Sequence, residues 1–231
     1  MLTTFTWRCE HRILSLVSDA SPQNRPYHHG DLRAALVAAG YAQAQKGGAA
    51  AVRLRAATRD AGVSPAAAYR HFADHEAWLV AVGAVAMRDL AWAIEARQAG
   101  VSLTGEPIAD ARARLIAVGE GYVGFALDSP GAFDVAMFGL ITMEHADDPA
   151  AAGESGRTPF QLLTDAIADL VGLGAVGVDQ ADAAAITCWS GVHGFASLAS
   201  KGPLRQHPRP LLDALAGQLI RGLTQSIAPA E

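Results

Sequence analysis

The chain has 231 residues, of which 51% are hydrophobic, 6% aromatic and 18% charged, and its formal net charge is −5. This length allows one large domain or a small domain beside a larger one. The hydrophobic content is high enough for a buried core, which excludes a chain that is disordered throughout. Two distant cysteines, Cys9 and Cys188, lack metal-ligand spacing and indicate reduced thiols. Charged residues interrupt the apolar N-terminus, and no stretch is long enough to span a membrane. We therefore expect a soluble, cytoplasmic protein.

The charge is distributed unevenly along the chain. Residues 25–75 hold seven Lys/Arg and three Asp, a net charge of +4. Residues 76–231 hold nine Lys/Arg and eighteen Asp/Glu, a net charge of −9. A basic module on an acidic body is the asymmetry expected when only one end of a protein faces phosphates.

The first 26 residues are predicted to be an extension, because residues 21–26 are rich in turn formers. We expect this segment to be disordered; a DNA-contacting arm and an artefact of start-site choice are the alternatives. Tyr27–Arg33 leads into helix 1, which is predicted to run to about Lys46 and to end at Gly47 and Gly48. The two histidines of this lead-in have no nearby residues to complete a metal site and indicate a solvated helix entry.

The segment Arg53–Phe72 carries the most informative pattern. Leu54–Ala61 has apolar residues at helical spacing, and Gly62 follows at the place of a C-terminal cap. Ser64 and Pro65 then begin a second short helix that is predicted to reach about His71. A helix, a glycine-containing turn and a helix form a helix-turn-helix signature. Small residues at the front of the second helix suit a major groove, whereas an alanine-rich surface helix without a partner is the alternative.

This segment resembles the DNA-binding region of tetracycline-repressor (TetR) transcriptional regulators. The matching elements are the glycine end of helix 1, the turn Ala61–Ser64, the ending Tyr69–Phe72 and the start of a fourth helix at Asp74–Leu79. His75 stands where the family usually has a phosphate-contacting lysine. We expect this replacement to weaken the phosphate contact near neutral pH. The resemblance implies that the base-facing residues are Ser64, Pro65, Ala66, Ala67 and Arg70, and that the phosphate-contacting residues are Arg53, Tyr69, His71 and His75.

The resemblance also implies the fold and the domains. We expect an all-α protein of about nine helices, with a three-helix DNA-binding domain at residues 27–75 and a helical bundle for ligand binding and dimerisation at residues 76–231. The body helices are predicted at Asp74–Arg97, Pro107–Leu127, Pro159–Leu173, Gln180–Ser200 (capped by Asp179) and Pro208–Ile227, with a short apolar segment at Ala132–Met143. The last two helices are apolar over broad faces and predict half of a two-fold, four-helix dimer interface.

Aromatic and methionine side chains of the body are the candidate ligand contacts. They are Trp92, Phe125, Met137, Phe138, Met143, Trp189 and His193. Core packing is the alternative for each of them, and for His193 it is the favoured one. The run Trp189–Gly194 also resembles the W…HG signature of the WHG-type TetR subfamily. The acidic turn at residues 144–148 is interpreted as solvated rather than metal-binding, and no cofactor is expected.

We consider three classes of function for this sequence. The favoured one is a ligand-responsive dimeric repressor that a small apolar effector releases from a palindromic operator. An enzyme is disfavoured, because the chain has no Gly-x-Ser-x-Gly elbow, glycine-rich phosphate loop or His-Glu-x-x-His pair. A DNA-binding scaffold that acts through protein partners is the third, and a well-formed apolar cavity in the body would count against it.

Overall fold

The computed structural model describes the backbone of residues 29–138, 145 and 147–229, and the side chains of residues 32–137, 145 and 147–229. Regular structure in these residues is entirely helical, which confirms the predicted all-α class. The predicted extension, residues 1–26, lies outside them. The α-helices are α1 (His29–Gly47), α2 (Leu54–Asp60), α3 (Pro65–Ala68), α4 (His75–Ala99), α5 (Pro107–Asp128), α6 (Pro130–Phe138), α7 (Pro159–Gly172), α8 (Ala181–Ser200) and α9 (Arg209–Ile227).

Glycine and capping side chains set several helix ends. Gly48 (φ 68°) follows α1 and Gly62 (φ 69°) separates α2 from α3, and both have a positive φ, which glycine tolerates better than other residues. The Asp74 carboxylate caps α4 by accepting a backbone N–H at 2.8 Å. Thr158 and Gln161 form a reciprocal capping box at the start of α7.

Two predicted helix details are wrong. Helix α3 ends at Ala68 rather than at His71. The N–H groups of Arg70 and His71 donate to carbonyls three residues back, at 3.3 and 2.9 Å, so the chain winds on as tighter turns. Asp179 does not cap α8, because it lies inside a separate 3-10 turn, Val178–Gln180, and α8 has no side-chain cap.

Helix α4 joins the N-terminal helices to the body. It packs against α1 on one side and against α5, α6 and α7 on others. Trp78, near its start, is fully buried, and its indole N–H donates to the Leu36 carbonyl of α1 at 3.1 Å. Gly40 permits this approach, because a Cβ there would lie 2.6 Å from the Trp78 ring. The N-terminal module is therefore held firmly on α4.

The expectation that no stretch could span a membrane is wrong for α4 by length and composition. This helix is long and apolar enough to do so, although half of its most apolar window is buried inside the protein. Its contacts with four other helices explain the same apolar composition, since a helix covered on most sides needs apolar residues around its circumference.

The outer faces of α8 and α9 carry uncharged residues at helical spacing, which we call the outer stripe: Ile186, Ser190, Gly194 and Leu198 on α8, and Leu211, Leu215, Gln218 and Gly222 on α9. Its four large apolar side chains are between 37% and 52% exposed. A Cβ added at Gly194 or Gly222 would meet nothing within 4 Å. The stripe is therefore an open surface of this chain.

Candidate functional site

The helix-turn-helix is fixed to the rest of the protein by its inward face. Ala57, Ala68 and Phe72 are buried, and the Val63 N–H closes the turn by donating to the Thr58 carbonyl at 2.9 Å. This packing leaves the front of α3 directed away from the core.

Seven of the nine predicted DNA contacts are exposed and two are partly buried. The exposed residues are Arg53, Ser64, Pro65, Ala66, Tyr69, Arg70 and His75, and the partly buried ones are Ala67 and His71. Tyr69 is 53% exposed, so its ring and hydroxyl are open to solvent. The Ser64 side chain makes no capping hydrogen bond, although its backbone is extended as at an N-cap. The Arg53 backbone is anchored, because its N–H donates to the Gln43 amide oxygen at 2.7 Å.

The body contains a cavity of about 280 Å³. Helices α4 to α9 all contribute to its wall, together with Pro159 and Phe160 at the start of α7. The described lining is apolar over most of its area and contains no Asp, Glu, Lys or Arg; it consists of Met87, Ile94, Leu115, Val118, Gly119, Tyr122, Ala136, Met137, Pro159, Phe160, Leu163, Cys188, Trp189, Val192, His193, Ile220, Leu223 and Thr224. Such a wall suits a largely apolar ligand.

A polar pair interrupts this apolar wall. The Tyr122 hydroxyl lies 2.9 Å from His193 Nδ1 and 3.3 Å from the Met137 sulfur. Burial raises the pKa of the Tyr122 phenol, and a hydrogen bond with Trp189 opposes this only in part. Burial also lowers the pKa of His193, which favours the neutral imidazole. The pair therefore offers uncharged hydrogen-bonding groups at neutral pH.

The thiol of Cys188 is a further polar atom of the lining. Its burial raises its pKa to about 11, so the thiol stays protonated and behaves as a small apolar group.

The structure brings together three of the predicted ligand contacts, namely Met137, Trp189 and His193. Trp92 does not join them, because it is 41% exposed and stacks under the Arg88 guanidinium at 4.8 Å. Phe125 is buried in the core outside the cavity lining. The side chains of Phe138 and Met143 lie outside the described residues.

Tyr122 and Phe160 also line the cavity, although neither was among the predicted ligand contacts. Leu115, Val118 and Tyr122 share one face of α5, and this periodicity is visible in the sequence. No comparable signal marked Phe160, since it depends on how the first turn of α7 packs edge-on against Trp189, with ring centroids 5.7 Å apart.

Helix α6 lies between the cavity and the end of α1. Ala136 and Met137 line the cavity from its C-terminal turn. At its other end, a Cβ on Gly131 would lie 2.8 Å from the Gln45 carbonyl oxygen of α1 and closer still to that of Ala44.

Asp134 lies between these two ends of α6 and binds the N-terminal module. Its carboxylate accepts the Ala49 N–H at 2.8 Å and forms an ion pair with Lys201, just after α8. The Asp134 side chain is 14% exposed. One short helix thus contacts both the cavity and the helix-turn-helix module.

Comparisons with known proteins agree with this architecture. Residues 115–223 match the family model described as the tetracyclin repressor-like C-terminal domain. The C-terminal part of the chain is therefore similar to the C-terminal domain of tetracycline-repressor (TetR) transcriptional regulators. The matched residues cover α5 in part, α6, α7, α8 and most of α9, and the TetR-like helix-turn-helix lies outside them at the N-terminal end.

Two solved structures are similar to this chain over most of its length. A protein of unknown function from Rhodococcus sp. RHA1 is 28% identical over 89% of this chain and 100% of its own, with a TM-score of 0.64. A transcriptional regulator from the same organism is 24% identical over 86% of this chain and 98% of its own, with a TM-score of 0.50, which supports the fold alone. No curated protein matches the sequence.

Proposed function

We propose that this protein is a homodimeric repressor of the TetR type that a small apolar effector releases from a palindromic operator. Two copies of α3 enter successive major grooves, with Ser64, Pro65, Ala66, Ala67 and Arg70 toward bases and Arg53, Tyr69, His71 and His75 toward phosphates. The contacts of α6 with both the cavity and the end of α1 are the observation that supports ligand response best.

The dimer is supported by the outer stripe. Leaving Ile186, Leu198, Leu211 and Leu215 in water is unfavourable, and burying them between two copies removes this apolar surface from solvent. Gly194 and Gly222 permit close approach of the paired helices. The absence of charge along the stripe favours a self-complementary, two-fold interface.

The cavity disfavours the scaffold alternative, because a body built only for protein contacts does not need an apolar space of about 280 Å³ with a polar pair in its wall. The described residues contain no group of three or more His, Cys, Asp or Glu side chains that could hold a metal ion. These residues therefore give no metal site on which to base an enzyme.

The test is selection of bound duplexes from random DNA by the full chain, followed by fluorescence-anisotropy titration at two salt concentrations. We expect an enriched palindrome whose half-sites lie about one helical turn apart, bound by two chains. Failure to enrich any sequence, with weak binding to all duplexes, would contradict the proposal.

Arg70→Ala separates specific contact from general charge. We expect it to weaken binding to the selected palindrome by about 1–3 kcal/mol if Arg70 reads a base. Arg205→Ala is the matched control, because Arg205 is also exposed but lies between α8 and α9, outside the helix-turn-helix. Equal losses in both variants would mean that α3 does not read DNA.

A further inference from the structure

The cavity has a chemical character that narrows its ligand beyond small and apolar. The lining residues with polar atoms are Tyr122, Trp189, His193, Cys188 and Thr224, and none of the described lining carries a formal charge. A buried ionised group without a partner is strongly unfavourable, so such a wall selects against carboxylates and ammonium ions.

The polar atoms of Tyr122, His193 and Ser197 lie close together. Tyr122 and His193 lie 2.9 Å apart, and the Ser197 hydroxyl lies 3.5 Å from His193 Nε2. The phenol has one proton, so it donates either to His193 or to the Met137 sulfur. The weaker of these arrangements, a contact with sulfur, is readily exchanged for a hydrogen bond to a ligand oxygen.

The rest of the wall favours a ring. Phe160 and Trp189 meet edge-on with centroids 5.7 Å apart, and Trp189 and His193 meet edge-on at 6.4 Å. Aromatic side chains prefer offset or edge-to-face partners, so another ring is well accommodated among them. Met87 and Met137 can adjust to its outline.

We propose that the cavity binds an uncharged, ring-containing molecule with one hydrogen-bonding oxygen, and that the Tyr122–His193 pair holds this oxygen. The volume of about 280 Å³ lies at the lower end of ligand pockets and fits one or two rings rather than a drug-sized molecule. This molecule would be the effector of the regulator proposed above. Binding itself does not depend on that function, but the role of the ligand as an effector does.

Isothermal titration calorimetry on the DNA-free full chain tests this inference with three matched probes, 4-propylphenol, propylbenzene and 4-propylbenzoate at pH 7.5. We expect the phenol to bind about tenfold more tightly than propylbenzene, because only the phenol makes the hydrogen bond. The benzoate should bind at least about a hundredfold more weakly than the phenol, because its charge has no partner in the wall.

Tyr122→Phe separates the polar pair from the cavity as a whole. The variant should lose the roughly tenfold preference for the phenol over propylbenzene. Its affinity for propylbenzene should change much less than its affinity for the phenol, and measurable binding of propylbenzene reports that the cavity is intact.

Several outcomes would overturn the inference. They are equal binding of benzoate and phenol, no preference for phenol over propylbenzene, a preference that survives Tyr122→Phe, or no binding of any probe at millimolar concentration. Because DNA is absent from these titrations, failure of DNA selection would sink the regulator proposal without affecting this result.

Discussion

Gly131→Ala tests whether α6 is seated directly on α1. The added Cβ would lie 2.8 Å from the Gln45 carbonyl oxygen and closer to that of Ala44, so backbone must move to admit it. Overpacking of this kind costs about 1–3 kcal/mol, and these atoms are backbone rather than flexible side chain. The helix propensity gain of alanine offsets at most about 1 kcal/mol. Because the added Cβ meets two backbone oxygens at 2.8 Å or less, the cost lies at the upper end of this range and the net loss is about 2 kcal/mol. In a protein of this size, such a loss lowers the melting temperature by about 4–8 °C.

The matched control is Gly124→Ala in α5, where an added Cβ meets nothing within 4 Å. This change should raise stability by about 0.5–1 kcal/mol, because alanine is the better helix former. Both variants are measured by thermal unfolding followed by circular dichroism and by affinity for the selected operator. Gly131→Ala should also weaken operator binding, since the end of α1 supports the helix-turn-helix.

A Gly131→Ala protein that melts at or above the wild-type temperature would refute the reasoning about α6. A protein that melts lower yet binds its operator with unchanged affinity would show that the α6–α1 contact is structural and does not carry the ligand response. Only a joint loss supports both steps.

Two further predictions concern assembly and pH. Ile186→Asp places a charge in the outer stripe and should convert the dimer to a monomer, as measured by sedimentation velocity. The control is Ile108→Asp on α5, where the isoleucine is 37% exposed, and this variant should remain a dimer. Dissociation of both variants would indicate general destabilisation instead. Burial raises the pKa of Asp89 above 3.8 despite its hydrogen bond from Tyr41. The folded state therefore holds this proton more tightly, and the contribution of Asp89 to stability falls as the pH rises above 3.8. The gain in melting temperature from Asp89→Asn should grow over that rise and then level off, and a gain that does not vary with pH would contradict this.

The sequence predicted most of the fold because its signals are local. Glycines at 48 and 62, the Asp74 cap and the spacing of apolar residues define helix ends without knowledge of tertiary contacts. The end of α3 was missed because a change from α-helical to tighter turns costs little and leaves no residue-type signature.

The cavity could be predicted only in part, because its wall is assembled from six helices that are distant in the chain. Met137, Trp189 and His193 were identified from residue type, and the same reasoning selected Trp92, which the structure places on the surface under Arg88. Residue type indicates that a side chain suits a pocket, whereas helix phase and packing decide whether it reaches one. Tyr122 is the reverse case. Its position on the inner face of α5 was predictable from the spacing of apolar residues, but its hydrogen bond with His193 in the cavity wall was not.

The energetic scale of the α6 contacts is compatible with a ligand switch. Moving a two-state equilibrium from 1:99 to 99:1 requires about 5.5 kcal/mol of differential ligand affinity. The bond from the Ala49 N–H to the Asp134 carboxylate is charge-assisted, which makes it worth about 1.5–3 kcal/mol per chain, or about 3–6 kcal/mol in the proposed dimer. Asp134 precedes the cavity-lining Met137 by three residues, so both lie on neighbouring positions of one helix face. A ligand that displaces Met137 therefore acts within one helical turn of a contact large enough to alter the seating of the DNA-binding module.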